Sequence, residues 1–413
     1  MWQPRKVGAP GRLRRSRRRV GGRWRNGDGL LGFLLDALTE ERLDNQRAVV
    51  QNERRQNYEN RPYGTLREKV AAALYPAGHP YSWIPIGSMT DLDAATLDDV
   101  REFFRTFYTP NNASVCVAGD FDPAAVRDQV DKYFGAIPPG PPIDRLARWV
   151  PELPGEVELT VEDRVELHRT QISWPTVPLF AADDAALDVF ARLLGGSKRS
   201  RLPRALVHER QIAHDVPAAH LSQQLAGVLQ VTLTPRPDQS PAVVEQAAQA
   251  VLDDLLAGGV TADELERAKM GAIADAVDGV QHLGGFNGIS DKINEYFHYL
   301  GEPDRFRWDL QRYLDLTPEA VTETARRFVG GRRLVARVVP RGDVASSASA
   351  RARAVDRTVV PGAGPSSRFR LPEIERFTLA NGLDVVVVPR SKIPIVSLSL
   401  LLRSGSESDP PAH

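Results

Sequence analysis

The sequence predicts an α+β protein built from homologous domains in tandem, and three observations support this prediction. Apolar residues at helical spacing alternate along the chain with short apolar runs that are typical of strands. Residues 96–122 and 317–343 share one order of features: a helix, a short loop, an apolar strand and a Gly-Asp stop. The two copies are about 220 residues apart, which is too far for a solenoid repeat. Duplication of a whole domain accounts for that distance.

Composition excludes several classes of function. The 413 residues suit two or three domains of ordinary size. Lys plus Arg and Asp plus Glu balance at 53 each, so we expect neither nucleic acid nor a membrane as a partner. No apolar run approaches the roughly 18–20 residues of a membrane span, and no signal peptide is recognisable, so the compartment stays unknown. The single cysteine, Cys116, excludes an intrachain disulfide and a cysteine-based zinc site.

The first 29 residues differ from the rest of the chain. They hold nine arginines and one lysine before the first acidic residue, Asp28, together with several glycines. We interpret residues 1–29 as a disordered tail or as a stretch foreign to the fold, such as an altered reading frame or start site. The alternative is a basic arm that binds nucleic acid, but little aromatic interleaving supports it.

Residues 43–64 form the segment around which the rest is organised. They predict one polar-rich helix that ends before a proline. Gln46 and Glu53 fall at i and i+7 on one helical face, with two valines between them at i+3 and i+4. Glu53 is therefore predicted to be a carboxylate directed inward, which requires an arginine, a helix N-terminus or a metal as its partner.

The run VVQNERRQNYENRPYG, followed by HPYSWIPIGSMTDL, resembles the pitrilysin family of zinc peptidases, which includes insulinase and the mitochondrial processing peptidase. The resemblance covers residues 30–340 and begins again at residue 371. It implies tandem domains, each a mainly antiparallel sheet with helices packed on one side, and it implies zinc-dependent hydrolysis of peptide bonds. In that family a His-x-x-Glu-His helix supplies two zinc ligands and the general base, and a glutamate on a later helix completes the site. Glu53 matches that glutamate, and Gln46 stands where relatives often have a second acidic residue.

The printed sequence contains no His-x-x-Glu-His motif. His208 and His214 are six residues apart, whereas two zinc-binding histidines on one helical face need a spacing of four. His79 lies in a loop rich in proline and glycine, and we expect it to be structural or exposed. We therefore expect no tight zinc binding and no activity from this chain alone.

The stretch GGSKRSRLPRALVHER also resembles the family, in its second domain. There a glycine-rich turn and the following Ser-Arg-Leu open a helix beside the peptide-binding cavity. The resemblance implies that Ser200, Arg201 and Leu202 lie near such a cavity. The alternative, a helix start with a polar N-terminus, is equally compatible with these residues.

The resemblance and the composition together predict the domain boundaries. Residues 344–369 are rich in small residues, arginine and proline, which indicates a flexible linker. Beyond it, FTLANGLDVVVVPRSKIPIVSLSLLLRSGS predicts a β-hairpin. The predicted organisation is a tail (1–29), the C-terminal part of a first domain (30–145), a second, inactive domain that forms half of a peptide cavity (146–343), a linker (344–370) and the opening hairpin of a third domain (371–413).

Two interpretations of function follow from the resemblance. The first is a zinc metalloendopeptidase by lineage, present here in a truncated form that is inactive alone. The second is a non-catalytic subunit that holds peptide substrate, while a second chain of the same type supplies His-x-x-Glu-His. The presence of Glu53 mildly favours the first interpretation, because a carboxylate that points inward and has no metal partner destabilises the fold.

Overall fold

The computed structural model describes residues 38–341 and 373–389, which belong to two separate compact units. The predictions for the tail, for the linker and for the part of the hairpin segment beyond residue 389 lie outside the described residues. Along the described ranges no helix is long and apolar enough to cross a membrane.

The larger unit is built on one six-stranded sheet. Its strands lie in the order β1-β6-β2-β5-β3, and β4 pairs with the same edge of β5 as β3 does. β1 and β6 are parallel, and every other pairing in this sheet is antiparallel. The sheet is thus mainly antiparallel, as predicted. The strands are β1 (Val157–Asp163), β2 (Arg169–Thr176), β3 (Ala213–Asp215), β4 (Ala218–Ser222), β5 (Gly227–Pro235) and β6 (Leu334–Pro340).

Helices make up about half of the remaining described chain, and short π-helical turns cover Arg55–Glu59 and Pro203–Glu209. Several helices begin at the residues expected from their sequence. The Thr96 and Thr261 side chains each form a reciprocal capping box with an acidic residue three positions later. The helices are α1 (Glu40–Arg54), α2 (Leu66–Leu74), α3 (Met89–Ala94), α4 (Leu97–Phe107), α5 (Pro123–Phe134), α6 (Asp184–Gly195), α7 (Pro241–Gly258), α8 (Ala262–Val280), α9 (Ile289–Leu300), α10 (Phe306–Leu314) and α11 (Pro318–Phe328).

The main hydrophobic core lies between the sheet and helices α6, α7, α8 and α11. Trp174 on β2 and Phe190 on α6 are its largest side chains, and both are 1% exposed. The indole Nε1 of Trp174 donates a hydrogen bond to the carbonyl of Gly330, 3.1 Å away. A buried tryptophan usually finds such a partner for its N–H group. This contact attaches the loop before β6 to the centre of the sheet.

A second hydrophobic cluster joins helix α2 to strands β1 and β6. Leu66, Val70 and Leu74 lie at helical spacing along α2 and are all buried in this cluster. Nearby, the guanidinium of Arg169 lies 3.7 Å from the ring centroid of Tyr63, and the Tyr63 hydroxyl donates to the carbonyl of Leu167. The segment before residue 145 therefore packs directly on the sheet that residues 157–340 build.

One predicted strand is absent from the structure. Residues 113–119, the apolar run ASVCVAG, have no strand conformation, and Val115 and Val117 are about half exposed. A strand is stable only when its backbone groups find a partner strand, and among the described residues none pairs with this run. The helices of the internal repeat, α4 and α11, are both present, but only the second copy continues into a paired strand, β6.

The smaller unit is a β-hairpin of β7 (Glu375–Thr378) and β8 (Asp384–Val387). Its turn contains Asn381 and Gly382, a pair that strongly favours hairpins. Gly382 has a φ of +84°, a conformation that glycine adopts readily. The strand predicted at VVVV is thus present, and it pairs with residues 375–378; its predicted partner, residues 396–402, lies outside the described residues.

Candidate functional site

Helix α1 uses a different face for packing from the one that its sequence predicts. The Arg47 guanidinium donates to the carbonyls of Leu92 and Ala95, and the Gln51 amide donates to Asp93. Gln46 and Val49 are exposed. The predicted inward face is therefore wrong at Gln46 and Val49, because long polar side chains on a neighbouring face make the contacts to α3. Val50 and Glu53, on the predicted face, are half-buried.

Arg54, next to Glu53, is the buried residue of this helix. Its guanidinium binds Glu68 through Nη2, with the shorter contact at 2.8 Å, and Glu59 through Nε at 3.1 Å. It also donates to the carbonyl of Gly87. Burial is the largest single effect on the pKa of Arg54 and lowers it. The hydrogen bonds and charges of Glu68 and Glu59 together outweigh burial, so the pKa is raised overall. Arg54 therefore connects the end of α1 to α2 and to the loop before α3.

The described residues around Glu53 do not fit a zinc ion. Glu53 is half-buried, and it belongs to no group of three or more histidine, cysteine, aspartate or glutamate side chains among the residues described. A catalytic zinc takes three protein ligands and one open position. Glu53 as a zinc ligand and Gln46 as its outer partner therefore stay predictions.

Ser200, Arg201 and Leu202 all make contacts within the domain. The Ser200 hydroxyl donates to the carbonyl of Arg192. Arg201 forms two parallel hydrogen bonds with Glu264, 2.8 and 2.9 Å long, and these hold the pKa of Glu264 at about 2. Leu202 is 1% exposed in the main core. These contacts fix the start of the helical segment, and a role beside a peptide cavity stays a prediction.

Two aspartates and one histidine lie close together at a position that the sequence analysis did not predict as a site. His220 on β4 has its Nδ1 atom 2.7 Å from Oδ1 of Asp188 and 3.9 Å from Oδ1 of Asp184. Its Nε2 atom lies 2.9 Å from the hydroxyl of Thr176 on β2. Along the described chain this is the one group of three or more such side chains close enough to share an ion. We call Asp184, Asp188 and His220 the carboxylate–histidine cluster.

The sequence held a partial signal for the carboxylate–histidine cluster. Asp184 and Asp188 are four residues apart in α6, so they face the same side of the helix. His220 comes from a strand that pairs with β5, and only the folded sheet brings it to α6. Sequence reasoning therefore missed the cluster because one of its members is distant in the chain.

Neighbouring side chains hold the carboxylates of this cluster. Arg312 donates to Oδ2 of Asp184 at 3.1 Å and also binds Asp309, and the Tyr313 hydroxyl donates to Oδ2 of Asp188 at 2.6 Å. Burial, and next the negative charge of Asp188, raise the pKa of Asp184. Burial and the Asp188 charge likewise raise the pKa of the Tyr313 hydroxyl.

Two of the cavities in the larger unit are relevant to function. One, of about 510 Å³, opens beside the carboxylate–histidine cluster between α6, β4, α8 and α10. The other, of about 780 Å³, lies between the segment 67–85 and strands β2, β4 and β5. We call the second one the aromatic cleft, because Tyr75, Tyr81 and Trp83 line its wall. Neither cavity is lined by Glu53 or by residues 200–202.

His79 and His214 support no zinc site of the expected kind. His79 is fully buried, and its ring nitrogens contact the carbonyl of Trp149 and the amide of Tyr81. It is structural, in agreement with the sequence analysis. His214 lies exposed on β3, after the π-helical turn that contains His208.

Comparison with known proteins identifies the class. The sequence profile of the Peptidase M16 inactive domain matches residues 94–272. The zinc protease PqqE of Helicobacter pylori is 27% identical over 299 residues, which are 70% of this chain and 65% of that protein. The uncharacterized zinc protease YmxG of Bacillus subtilis is 25% identical over 237 residues, 57% of this chain and 56% of that protein. The chain therefore spans somewhat less than two thirds of the length of these two curated relatives.

Solved structures agree with this class. A protease from Helicobacter pylori superposes with a TM-score of 0.65 at 25% identity, covering 73% of each chain. The peptidase M16 inactive domain from Pseudomonas fluorescens gives a TM-score of 0.63 at 18% identity, covering 73% of this chain and 71% of that one, and shows the shared fold. The resemblance to the M16, or pitrilysin, family of zinc peptidases that the sequence indicates is therefore confirmed. Residues 94–272 carry the part of that family described as its inactive domain.

Proposed function

We propose that this chain holds peptide substrate for a zinc endopeptidase of the M16 type and does not cleave peptides by itself. The observation that carries the proposal is the aromatic cleft. Its volume of about 780 Å³ falls within the range of ligand-binding clefts, and its lining is largely apolar with a few polar groups.

The lining of the aromatic cleft suits an extended peptide. Trp83 is 57% exposed and Leu221 is 49% exposed, which offers apolar contact to substrate side chains. Gln171, Gln223 and Gln230 also line the cleft, and the Gln171 amide donates to the Gln230 amide oxygen. Each amide both donates and accepts hydrogen bonds, so it matches the N–H and C=O groups of a peptide backbone. Binding of this kind depends little on the charge of the peptide.

Hydrolysis needs groups that the described residues do not bring together. The family mechanism requires two histidines and a general base beside the zinc, and Glu53 offers one carboxylate. In this proposal Glu53 serves as the third zinc ligand once a His-x-x-Glu-His helix is supplied. That helix comes either from a longer form of the same protein or from a second chain of the M16 type. The residues at 200–202 act by positioning the helical segment that follows them.

Peptide binding is tested with the chain itself and a fluorescein-labelled casein digest. We expect micromolar binding, and Trp83→Ala should weaken it about tenfold, because exposed tryptophans dominate such contacts. Phe286→Ala is the control, since Phe286 is 83% exposed and does not line the cleft. Absence of binding, or binding that Trp83→Ala leaves unchanged, would contradict the proposal.

Hydrolysis is tested separately, with the same digest and added zinc. The chain alone should leave the peptides intact. Adding an M16-type chain that carries His-x-x-Glu-His should produce cleavage if the partner arrangement is correct, and Glu53→Gln should abolish it if Glu53 completes the zinc site. Chelator-sensitive cleavage by the chain alone would overturn the proposal of inactivity.

A further inference from the structure

We propose that the carboxylate–histidine cluster of Asp184, Asp188 and His220 binds one divalent transition-metal cation, separate from the site predicted at Glu53. The cluster lies in the part of the chain that matches the inactive domain. The first argument is an unsatisfied atom: Oδ1 of Asp184 has no hydrogen-bond partner, although the side chain is only 1% exposed. The nearby Ser222 hydroxyl favours the charged form of Asp184, yet it makes no hydrogen bond of normal geometry with this oxygen. A buried, unpartnered carboxylate oxygen is costly, and a cation removes that cost.

The spacing of the three candidate ligand atoms fits a small cation. Asp184, Asp188 and His220 each offer one ligand atom, and these three atoms all lie within 4.8 Å of one another. In a tetrahedral zinc site with bonds of about 2.0–2.1 Å, ligand atoms are about 3.3–3.4 Å apart. The observed separations of 2.7 Å and 3.9 Å from Nδ1 lie on either side of that value. Shifts of roughly 0.6 Å would bring both of these separations to that value, within the reach of small side-chain rotations.

The outer partners are those that a metal site requires. Histidine ligands usually donate their second N–H to an oxygen, and Nε2 of His220 lies 2.9 Å from the Thr176 hydroxyl. The carboxylate oxygens that would not bind the metal are held as well. Oδ2 of Asp188 accepts from Tyr313, and Oδ2 of Asp184 accepts from Arg312 and from the amide of Phe180. One oxygen of each carboxylate is thus fixed, which leaves the other for the ion.

The charges around the cluster also favour a divalent cation. Asp184, Asp188 and Asp309 carry three negative charges, and Arg312 is the guanidinium that contacts two of them. With a neutral His220, one divalent cation balances the remaining charge. Asp188 and His220 both line the cavity of about 510 Å³, so an ion has a route from solvent and a side open to water. A mixed set of imidazole and carboxylate ligands suits Zn²⁺ or Mn²⁺ better than Ca²⁺.

The test uses the full chain, stripped of metal with a chelator, and a titration with Zn²⁺ against a fluorescent zinc indicator. We expect one tight site per chain. Asp188→Asn and Asp184→Asn should each weaken it by about tenfold or more, because each removes a ligand charge. His214→Gln changes an exposed histidine on β3 and is the control, which should bind zinc as the unmodified chain does. Glu53→Gln is measured as well, to show whether the bound ion lies instead at the site predicted at Glu53.

A measurement on the unmodified protein covers the case in which a variant fails to fold. X-ray absorption at the zinc edge should show one imidazole and oxygen ligands in the first shell. A chain that binds no zinc, tight binding that survives both aspartate variants, or binding that is lost in Glu53→Gln would each overturn the proposal. In the first case His220 acts only as the hydrogen-bond partner of Asp188 and Thr176.

Discussion

Nη1 of Arg312 lies 3.1 Å from Oδ2 of Asp184, and this ion pair joins α10 to the first turn of α6. Asp184 is fully buried, and Arg312 is 13% exposed at its side chain. Removing one partner of a buried pair leaves an uncompensated charge, which costs more than the pair itself contributes.

Arg312→Met should therefore lower the free energy of unfolding by about 3–5 kcal/mol. The measurement is chemical denaturation followed by circular dichroism. Arg307→Met on the same helix is the control, because Arg307 is exposed, and it should change stability by less than about 0.5 kcal/mol. Adding Asp184→Asn to Arg312→Met should restore part of the loss. Equal effects of the Arg312 and Arg307 variants would contradict the assignment.

The Arg201–Glu264 pair should make stability depend on pH in the acid range. The hydrogen bonds from Arg201 are the largest cause of lowering the pKa of Glu264 from 4.5 to about 2. A pKa that is depressed in the folded state adds stability that is present above pH 4.5 and is lost as the pH falls towards 2. Glu264→Gln should lower stability at pH 7 by about 1–3 kcal/mol and flatten this part of the profile.

The control for that profile is Glu266→Gln. Glu266 lies 3.4 Å from Lys269 and is exposed, so the pair contributes little to stability. Thermal unfolding of both variants and of the unmodified chain between pH 2 and pH 7 separates the two positions. A profile unchanged by Glu264→Gln would show that Arg201 does not stabilise the charged form of that carboxylate.

Arg54 should control the local stability of α1. Arg54→Met removes the contacts with Glu59, Glu68 and Gly87, so the amides of residues 43–54 should exchange with solvent about 10–100 times faster. Arg55→Met is the matched control, since Arg55 is exposed and binds only Asn52 within its own turn. Hydrogen exchange followed by mass spectrometry measures both. Similar exchange in the two variants would exclude Arg54 as the residue that fixes this helix.

Gly227 at the start of β5 should tolerate no side chain. A Cβ atom there would lie 2.4 Å from the carbonyl oxygen of Val177 and 2.6 Å from the Thr176 hydroxyl. Gly227→Ala should cost about 1–3 kcal/mol, the usual range for forced overpacking. Gly258→Ala is the control, because open space surrounds Gly258 at the end of α7 and alanine favours helix. Denaturation midpoints of the two variants measure the loss of stability. A Gly227→Ala variant as stable as the unmodified chain would contradict the close contact with Val177 and Thr176.

The order of elements in the larger unit could be predicted from local sequence alone. Thr96 and Thr261 signal the starts of α4 and α8, and the alternation in residues 157–176 signals β1 and β2. These signals need only neighbours within a few residues. The run at 113–119 has the same local signal, yet it forms no strand. Strand formation depends on a partner elsewhere in the chain, and no local pattern reports whether that partner is present.

The candidate sites show the same limit. Glu53 and the segment at residues 197–202 were predicted as site residues because each lies in a contiguous stretch of sequence that resembles the family. The carboxylate–histidine cluster needs His220 to pair into the sheet opposite α6, and the aromatic cleft needs α2 to pack on β1 and β6. Both are products of contacts between distant segments. The burial of Arg54 was not predicted for a further reason. An arginine on a polar helix is usually solvent-exposed, and only the folded structure shows the carboxylates that pair with it.

The position of β6 has a consequence for biosynthesis. This strand lies between β1 and β2, so Leu334 stands beside Val157 on one side and Ser173 on the other. As the ribosome works from the N-terminus, β1 emerges long before the strand that holds it in place. The sheet cannot be completed until helices α7 to α11 have been synthesised, because β6 follows them in the chain. Nascent chains that stall before that point would display an unpaired strand and attract chaperones.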